Sequence, residues 1–283
     1  MKSEEERREQ SVFATEEGRN RLLKILRFYD AVAGREPRET LSADDPQAVV
    51  VAGLLEQLGR GAPPPYLLGR ALFMGNTFYC TKDTLIPRHE TSLLVQTACE
   101  YLDRKKKQGA DAQTVIEIGT GCGNIAVSLA IRCNGEVRIL ASDISEAALE
   151  VARRNVQRYQ VDGKVSLFCG DLYEPFRDHR EAADMVICNP PYIPTTSLKK
   201  LDRQIIDHEP VVALDGGPYG LNIFRRLISG APTFLKKEGM LVFEIGDGQE
   251  KLIERLLSRN NAYKEIGFFR YEGQVRVVGA IKK

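Results

Sequence analysis

The chain has 283 residues, 43% hydrophobic and 28% charged, with a formal net charge of +1 at pH 7. That length suits one large domain, or a large and a small one, and the near-neutral balance leaves no broad electrostatic footprint for duplex nucleic acid. Six cysteines (Cys80, Cys99, Cys122, Cys133, Cys169 and Cys188) are scattered without a C-x-x-C pair or a closely spaced Cys/His set, which argues against a metal site or disulfide framework and fits a reducing compartment. No run approaches the roughly 18 apolar residues of a membrane span. The acidic start MKSEEERREQ lacks the features of a secretory signal or transit peptide, so the cytoplasm is the expected location.

In chain order, residues 1 to about 70 read as a small helical domain. RLLKILRFYDAVA spaces Leu22, Leu23, Leu26 and Tyr29 along one helix face. SADDPQAVVVAGLLEQLGR carries an acidic start, Pro46 near the first turn and Gly59 as a stop. GAPPPY suggests a linker, and the Gly-Asn step in LFMGNTFYC predicts a β-hairpin across residues 71–86, so that residues 71–88 connect the helical part to the rest. From about 111 onward, the short β-rich runs TVIEI, VRILAS, VSLFC, DMVIC and MLVFEI appear, with NIAVSLAIR and SEAALEVARRNVQRY as helices between the first three. Such alternation predicts a mostly parallel sheet covered by helices on both faces, an α/β fold. AYKEIGFFR and QVRVVGAIKK, joined by a short YEG connection, read as an antiparallel pair at one side of that sheet.

The strand ends carry the chemistry. Gly119, Gly121 and Gly123 follow the first strand directly in EIGTGCGN, where glycine lets the backbone turn sharply and approach a ligand closely. A plain strand-to-helix turn would use the same residues. Asp143, 20 positions beyond Gly123, suits hydrogen bonds from both ribose hydroxyls; its other reading is a helix N-cap, for which Ser145 is the better candidate. A third strand ends at Asp171 and Leu172, a pair suited to an adenine rim, although Asp171 also fits a turn. Together these describe a nucleoside pocket without a pyrophosphate cradle, the shape of S-adenosylmethionine.

The fourth strand, Met185 to Cys188, runs straight into Asn189-Pro190-Pro191-Tyr192. Two prolines remove two backbone donors and force one rigid, extended path. The Asn189 side-chain carbonyl and the Pro190 backbone carbonyl then form a pair of acceptors in fixed relation, and Tyr192 offers a planar wall. The arrangement suits holding a planar NH₂ group for methylation, without a general base. His89, His179 and His208 have no motif around them.

GTGCG, SDIS, GDL and NPPY in this order resemble a seven-strand S-adenosylmethionine-dependent methyltransferase of Rossmann-like type. PPYLLG (64–69), LIPRHET (85–91), ALDGGPYGL (213–221) and FEIGDGQ (243–249) make the chain similar to the HemK/PrmC family. That resemblance implies methylation of the glutamine in the Gly-Gly-Gln loop of peptide-chain release factors. It implies a cofactor site at Gly119, Thr120, Gly121, Cys122, Gly123, Asp143, Leu172 and Asn189, and a substrate clamp of Asn189, Pro190, Pro191 and Tyr192. Arg88 and Thr91 lie in the matching PRxET segment. The expected domains are 1–70, helical; 71–88, hairpin; and 89–283, methyltransferase. The helical part reads equally as a docking surface or a stabilising cap. His89, Ser92 and Leu172 depart from common family residues, which bears on fit more than on chemistry. The competing readings are an adenine-N6 nucleic-acid methyltransferase and a non-catalytic binding module.

Overall fold

The computed structural model describes residues 61–110 and 112–283, together with isolated positions before residue 61. Most of the expected helical domain therefore lies outside the described residues. Where description begins, the expected linker contains one helical turn, Pro64–Leu67, whose opening proline sits where a missing N–H costs nothing. Tyr66 packs against Ala71, Cys80 and Ile86, and its hydroxyl donates to the Thr84 carbonyl at 2.7 Å.

The hairpin consists of β1 (Arg70–Phe73) and β2 (Asn76–Tyr79). Its turn is Met74-Gly75, one residue earlier than the Gly-Asn step suggests, and Asn76 is already paired with Phe73. Both turn residues have positive φ, 50° and 80°. Such a turn matches the strands' own right-handed twist, and glycine takes its second position without strain.

Helix α1 (Thr91–Lys107) precedes the alternating part: β3 (Ala112–Ile118), α2 (Asn124–Arg132), β4 (Glu136–Asp143), α3 (Glu146–Arg158), β5 (Val165–Cys169), β6 (Ala183–Cys188), α4 (Asn222–Phe234), β7 (Leu235–Glu244), α5 (Glu250–Ser258), β8 (Tyr263–Tyr271) and β9 (Gln274–Lys282). The seven strands from β3 to β9 form one sheet in the order β5-β4-β3-β6-β7-β9-β8. Strands β3 to β7 pair in parallel. The terminal antiparallel pair is present, but β9 lies inside the sheet, antiparallel to both β7 and β8, so it alone runs against the rest.

Every residue of β6 is buried, as a central parallel strand with helices on both faces requires. Alternate residues enter different cores. Val115, Ile139, Met185 and Val242 join one cluster with residues of α1, α2 and α3, while Ile116, Leu140, Val186 and Leu241 join another with residues of α4 and α5. Ser145 caps α3, its Oγ accepting the Ala148 amide at 3.2 Å, as the sequence suggests. No helix among the described residues is long and apolar enough to cross a membrane.

A buried asparagine helps to join the hairpin to the sheet domain, beside the Tyr159 hydroxyl, which donates to the Thr77 carbonyl at 2.8 Å. Asn155 on α3 is fully buried. Its Oδ1 accepts the Tyr79 amide at 2.7 Å, and its Nδ2 donates to the carbonyls of Tyr79 at 3.0 Å and Cys122 at 2.8 Å. It therefore mimics a neighbouring strand for β2 while holding the glycine loop from beneath. Asn155→Ala leaves three backbone groups without this partner, the Cys122 carbonyl buried and the Tyr79 amide and carbonyl part-buried, and is expected to cost about 3 kcal/mol in urea unfolding. Asn155→Asp, which lacks both donors, is expected to be at least as damaging.

Candidate active site

The carboxyl ends of β3, β4, β5 and β6 open on one cleft of about 260 Å³. Gly119, Thr120, Gly121 and Cys122 line it from the loop after β3, Asp143 from β4, Leu172 from the loop after β5, and Asn189, Pro190 and Pro191 from the loop after β6. Arg88 and Thr91 line its far side. The sequence-derived set is thus gathered in one place, with Gly123 and Tyr192 standing behind it.

Gly119 and Gly121 have φ of 71° and 55°, and a Cβ built on either would enter open space. Gly123 serves packing instead: its Cβ would meet that of Ala152 at 3.3 Å. Asp143 binds this loop directly, its Oδ2 accepting the Gly121 amide at 2.8 Å and its Oδ1 the Ser145 amide at 2.9 Å. Each carboxylate oxygen keeps further acceptor capacity beside the cleft. Burial pushes its carboxyl above the usual range, and the amides of Ser145, Gly121 and Ile144 pull the other way. Leu172 takes a φ of 50° and its carbonyl accepts the Ser142 hydroxyl at 3.4 Å. Asp171 pairs with Arg226 of α4 at 2.6 Å.

Sequence reasoning passed over Ile144, a cleft-lining side chain left 57% exposed immediately after Asp143. The signal was available: a large apolar residue within a polar helix-capping step has no core to enter.

The Asn189–Tyr192 loop is stapled from two sides. The amide of Ile193 donates to the Leu214 carbonyl at 3.0 Å, and that of Gly216 to the Ile193 carbonyl at 2.8 Å. Gln249 Nε2 donates to the Tyr192 carbonyl at 3.0 Å while its Oε1 accepts the Gly246 amide at 2.9 Å. A Cβ on Gly220 would sit 2.3 Å from the Tyr192 carbonyl oxygen, and one on Gly246 would sit 2.9 Å from the Tyr192 ring. The segments 213–221 and 243–249 thus wrap the loop. The Tyr192 ring is turned to this side rather than lining the cleft, with its hydroxyl 3.1 Å from Arg276 of β9. Arg88 is likewise committed, its guanidinium paired with the buried carboxylate of Glu209, which also accepts the Ile86 amide at 3.3 Å.

Residues 91–217 match the family model of the Methyltransferase small domain. The chain is 36% identical over 207 residues to a release factor glutamine methyltransferase of Geobacter sulfurreducens, covering 73% of this chain and 69% of the relative. A second protein of that description, from Thermosynechococcus vestitus, is 32% identical over 269 residues, 92% of this chain and 91% of the relative. Among solved structures, the hMettl16 catalytic domain in complex with a MAT2A 3′UTR hairpin superposes with a TM-score of 0.56 at 16% identity, covering 86% of this chain and 84% of that one, which shows a common fold. Fold, strand-end cleft and family model define an S-adenosylmethionine-dependent methyltransferase. Within that class, the chain belongs to the release factor glutamine methyltransferase family.

Glu117, on β3 beneath the glycine loop, is fully buried, and neither of its carboxylate oxygens has a hydrogen-bond partner among the described residues. Burial pushes its carboxyl from 4.5 up to about 8. A folded-state value above the unfolded one gives stability that is complete at low pH and lost as pH rises through about 8. Between pH 7 and 8 the slope from this group is at most about 1.4 kcal/mol per pH unit. Glu117→Gln, which cannot ionise, is expected to flatten that slope in urea unfolding and to exceed the wild type in stability at pH 8. An unchanged slope would place the titration elsewhere.

Proposed function

We propose that this chain transfers a methyl group from S-adenosylmethionine to the side-chain amide nitrogen of the glutamine in the Gly-Gly-Gln loop of peptide-chain release factors. The observation that carries this reading is the rigid Asn189-Pro190 acceptor pair at the mouth of a nucleoside-shaped cleft. The names and lengthwise coverage of the relatives supply the substrate.

The cleft fits the cofactor. The partly unfilled acceptor capacity of Asp143 suits a ribose diol, the open approach over Gly119 and Gly121 suits an amino-acid tail, and Leu172 with Ile144 suits an adenine ring. Bound there, S-adenosylmethionine supplies an electrophilic methyl group on a sulfonium.

The chain's own residues have to overcome the poor nucleophilicity of an amide, whose nitrogen lone pair is delocalised into its carbonyl. Fixing both N–H bonds with acceptors leaves the nitrogen face pointing in one direction. The Asn189 Oδ1 and the Pro190 carbonyl supply those acceptors, and neither receives a hydrogen bond from the described residues. The prolines and the stapling segments hold them in place beforehand, so little ordering remains at the moment of reaction. Tyr192 acts from behind the loop, through a carbonyl held by Gln249 and a hydroxyl held by Arg276. Residues 1–70 are proposed to add a second contact to the release factor, 71–88 to join them to the catalytic domain at 89–283, and the whole to act in the cytoplasm without direct contact to nucleic acid.

Single-turnover methyl transfer to a purified release factor, with DNA and RNA as controls, tests the proposal. Asn189→Ala is expected to lower the rate by about 100-fold or more at saturating cofactor. Wild-type rates in this variant would reduce the loop to a strand ending, and transfer to nucleic acid at comparable rates would favour adenine chemistry. For the cofactor site, Asp143→Ala is expected to weaken S-adenosylmethionine binding by about 1–3 kcal/mol in calorimetry.

A further inference from the structure

An asparagine amide is nearly symmetric in shape, so a half-turn about its last bond exchanges an acceptor for a donor. The proposed clamp works only with Oδ1 toward the substrate; with Nδ2 there, the loop would set N–H against N–H. Something has to choose.

The choice is visible beneath the loop. Asn189 Nδ2 lies 3.2 Å from the Thr91 hydroxyl, and that hydroxyl lies 2.7 Å from Glu244 Oε2. Thr91 is 1% exposed and Glu244 is fully buried. A hydroxyl has one proton and an ionised carboxylate has none, so Thr91 must donate to Glu244. Only lone pairs then face Asn189, and only its NH₂ end can meet them. We propose that Thr91 and Glu244 form a polarity relay that turns the acceptor end of Asn189 into the cleft, making both of them positioning residues for methyl transfer.

The register supports this pairing. Cys188 is opposite Phe243 in adjacent parallel strands, so Asn189 and Glu244 leave the sheet side by side, with the first residue of α1 above them. Glu244 is faced by Arg276 from β9, 3.7 Å away, by Glu90 and Arg88 from the segment before α1, and by the Tyr192 phenol and the buried Cys188 thiol from β6 and its loop. Arg276 is shared with Glu90 and Tyr192, each at 3.1 Å, and Glu244 Oε1 has no hydrogen bond among the described residues. Burial accordingly pushes the Glu244 carboxyl up to about 7. On the acid side of that value the carboxyl carries a proton it can donate to Thr91. Thr91 is then free to donate to Asn189 Oδ1, and the amide is no longer held to one orientation. The relay thus makes catalysis fall with acid, through orientation.

The inference rests on the proposed function, so its test has one arm that reads activity and one that does not. Each variant is first checked for folding by thermal denaturation. Thr91→Val keeps the shape and removes the hydroxyl; kcat on a release factor is expected to fall roughly 10- to 100-fold, with KM for S-adenosylmethionine changed less than twofold. Thr91→Ser should restore most of that loss, as a purely space-filling role would not. Wild-type kcat should rise with pH through about 7, and Glu244→Gln should abolish that limb. Independently of activity, the Asn189 side-chain NH₂ resonance, assigned by its absence from Asn189→Asp, should move with pH in the wild type and stay fixed in Glu244→Gln. A folded Thr91→Val with wild-type kcat, an acid limb that survives in Glu244→Gln, or an NH₂ resonance indifferent to pH would each overturn the relay. A wild-type chain that moves no methyl to release factors, yet shows the titrating resonance, would sink the proposed function and leave the relay standing.

Discussion

Parallel pairing between β3 and β6 is the constraint on which the site depends. The chain builds outward from β3 through β4 to β5, then returns to place β6 on the opposite flank of β3. Loops leaving neighbouring strands therefore diverge over opposite faces of the sheet, and the gap they leave at the switch point is where ligands of open α/β sheets bind. The residues from all these strand ends meet there because the strands share one direction. An antiparallel β6 would carry Asn189 to the other edge of the sheet.

Rigidity around that gap comes from backbone more than from large side chains. Asp143 and Asn155 both bind the glycine loop through main-chain groups, one at its Gly121 amide and the other at its Cys122 carbonyl. The Asn189–Tyr192 loop is held at its Tyr192 carbonyl and in its continuation at Ile193. Its glycine neighbours are there because the main chain passes too close for a side chain. A site built this way fixes acceptors by covalent geometry and spends little side-chain entropy in doing so.

Much of this was legible in the sequence, for identifiable reasons. The helix after the glycine loop and its successor were readable from period and capping, since NIAVSLAIR coincides with α2 and Ser145 caps α3. The strands that deliver the site announced themselves as β-rich runs ended by glycine, aspartate or proline. What stayed hidden depends on contacts between distant parts of the chain. Asn155 looks like a polar position on an amphipathic helix until β2 packs on it. Thr91 and Glu244 are 153 residues apart in sequence, and neither neighbourhood carries a pattern that joins them. The loop sequence suggests a Tyr192 wall in the cleft, yet the ring faces away, because Gly246 leaves room for it and Arg276 holds its hydroxyl. The turn falls at Met74-Gly75, one residue before the Gly-Asn step, because a non-glycine residue, Met74, takes the first positive φ, which the sequence does not disclose.

The placement of β9 has a consequence for how the protein is made. Of the nine strands among the described residues it is the last in chain order, and it lies between two that precede it, β7 and β8. During elongation, β7 can pair with β6 as soon as it emerges, but its other edge stays open until β9 arrives, and open strand edges invite association. Arg276 also lies on β9, so Glu244, Glu90 and Tyr192 all wait for the same late arrival. Vectorial synthesis therefore makes the cofactor-side strands available before β9, and the charge balance behind the substrate loop is complete only once β9 has joined the sheet.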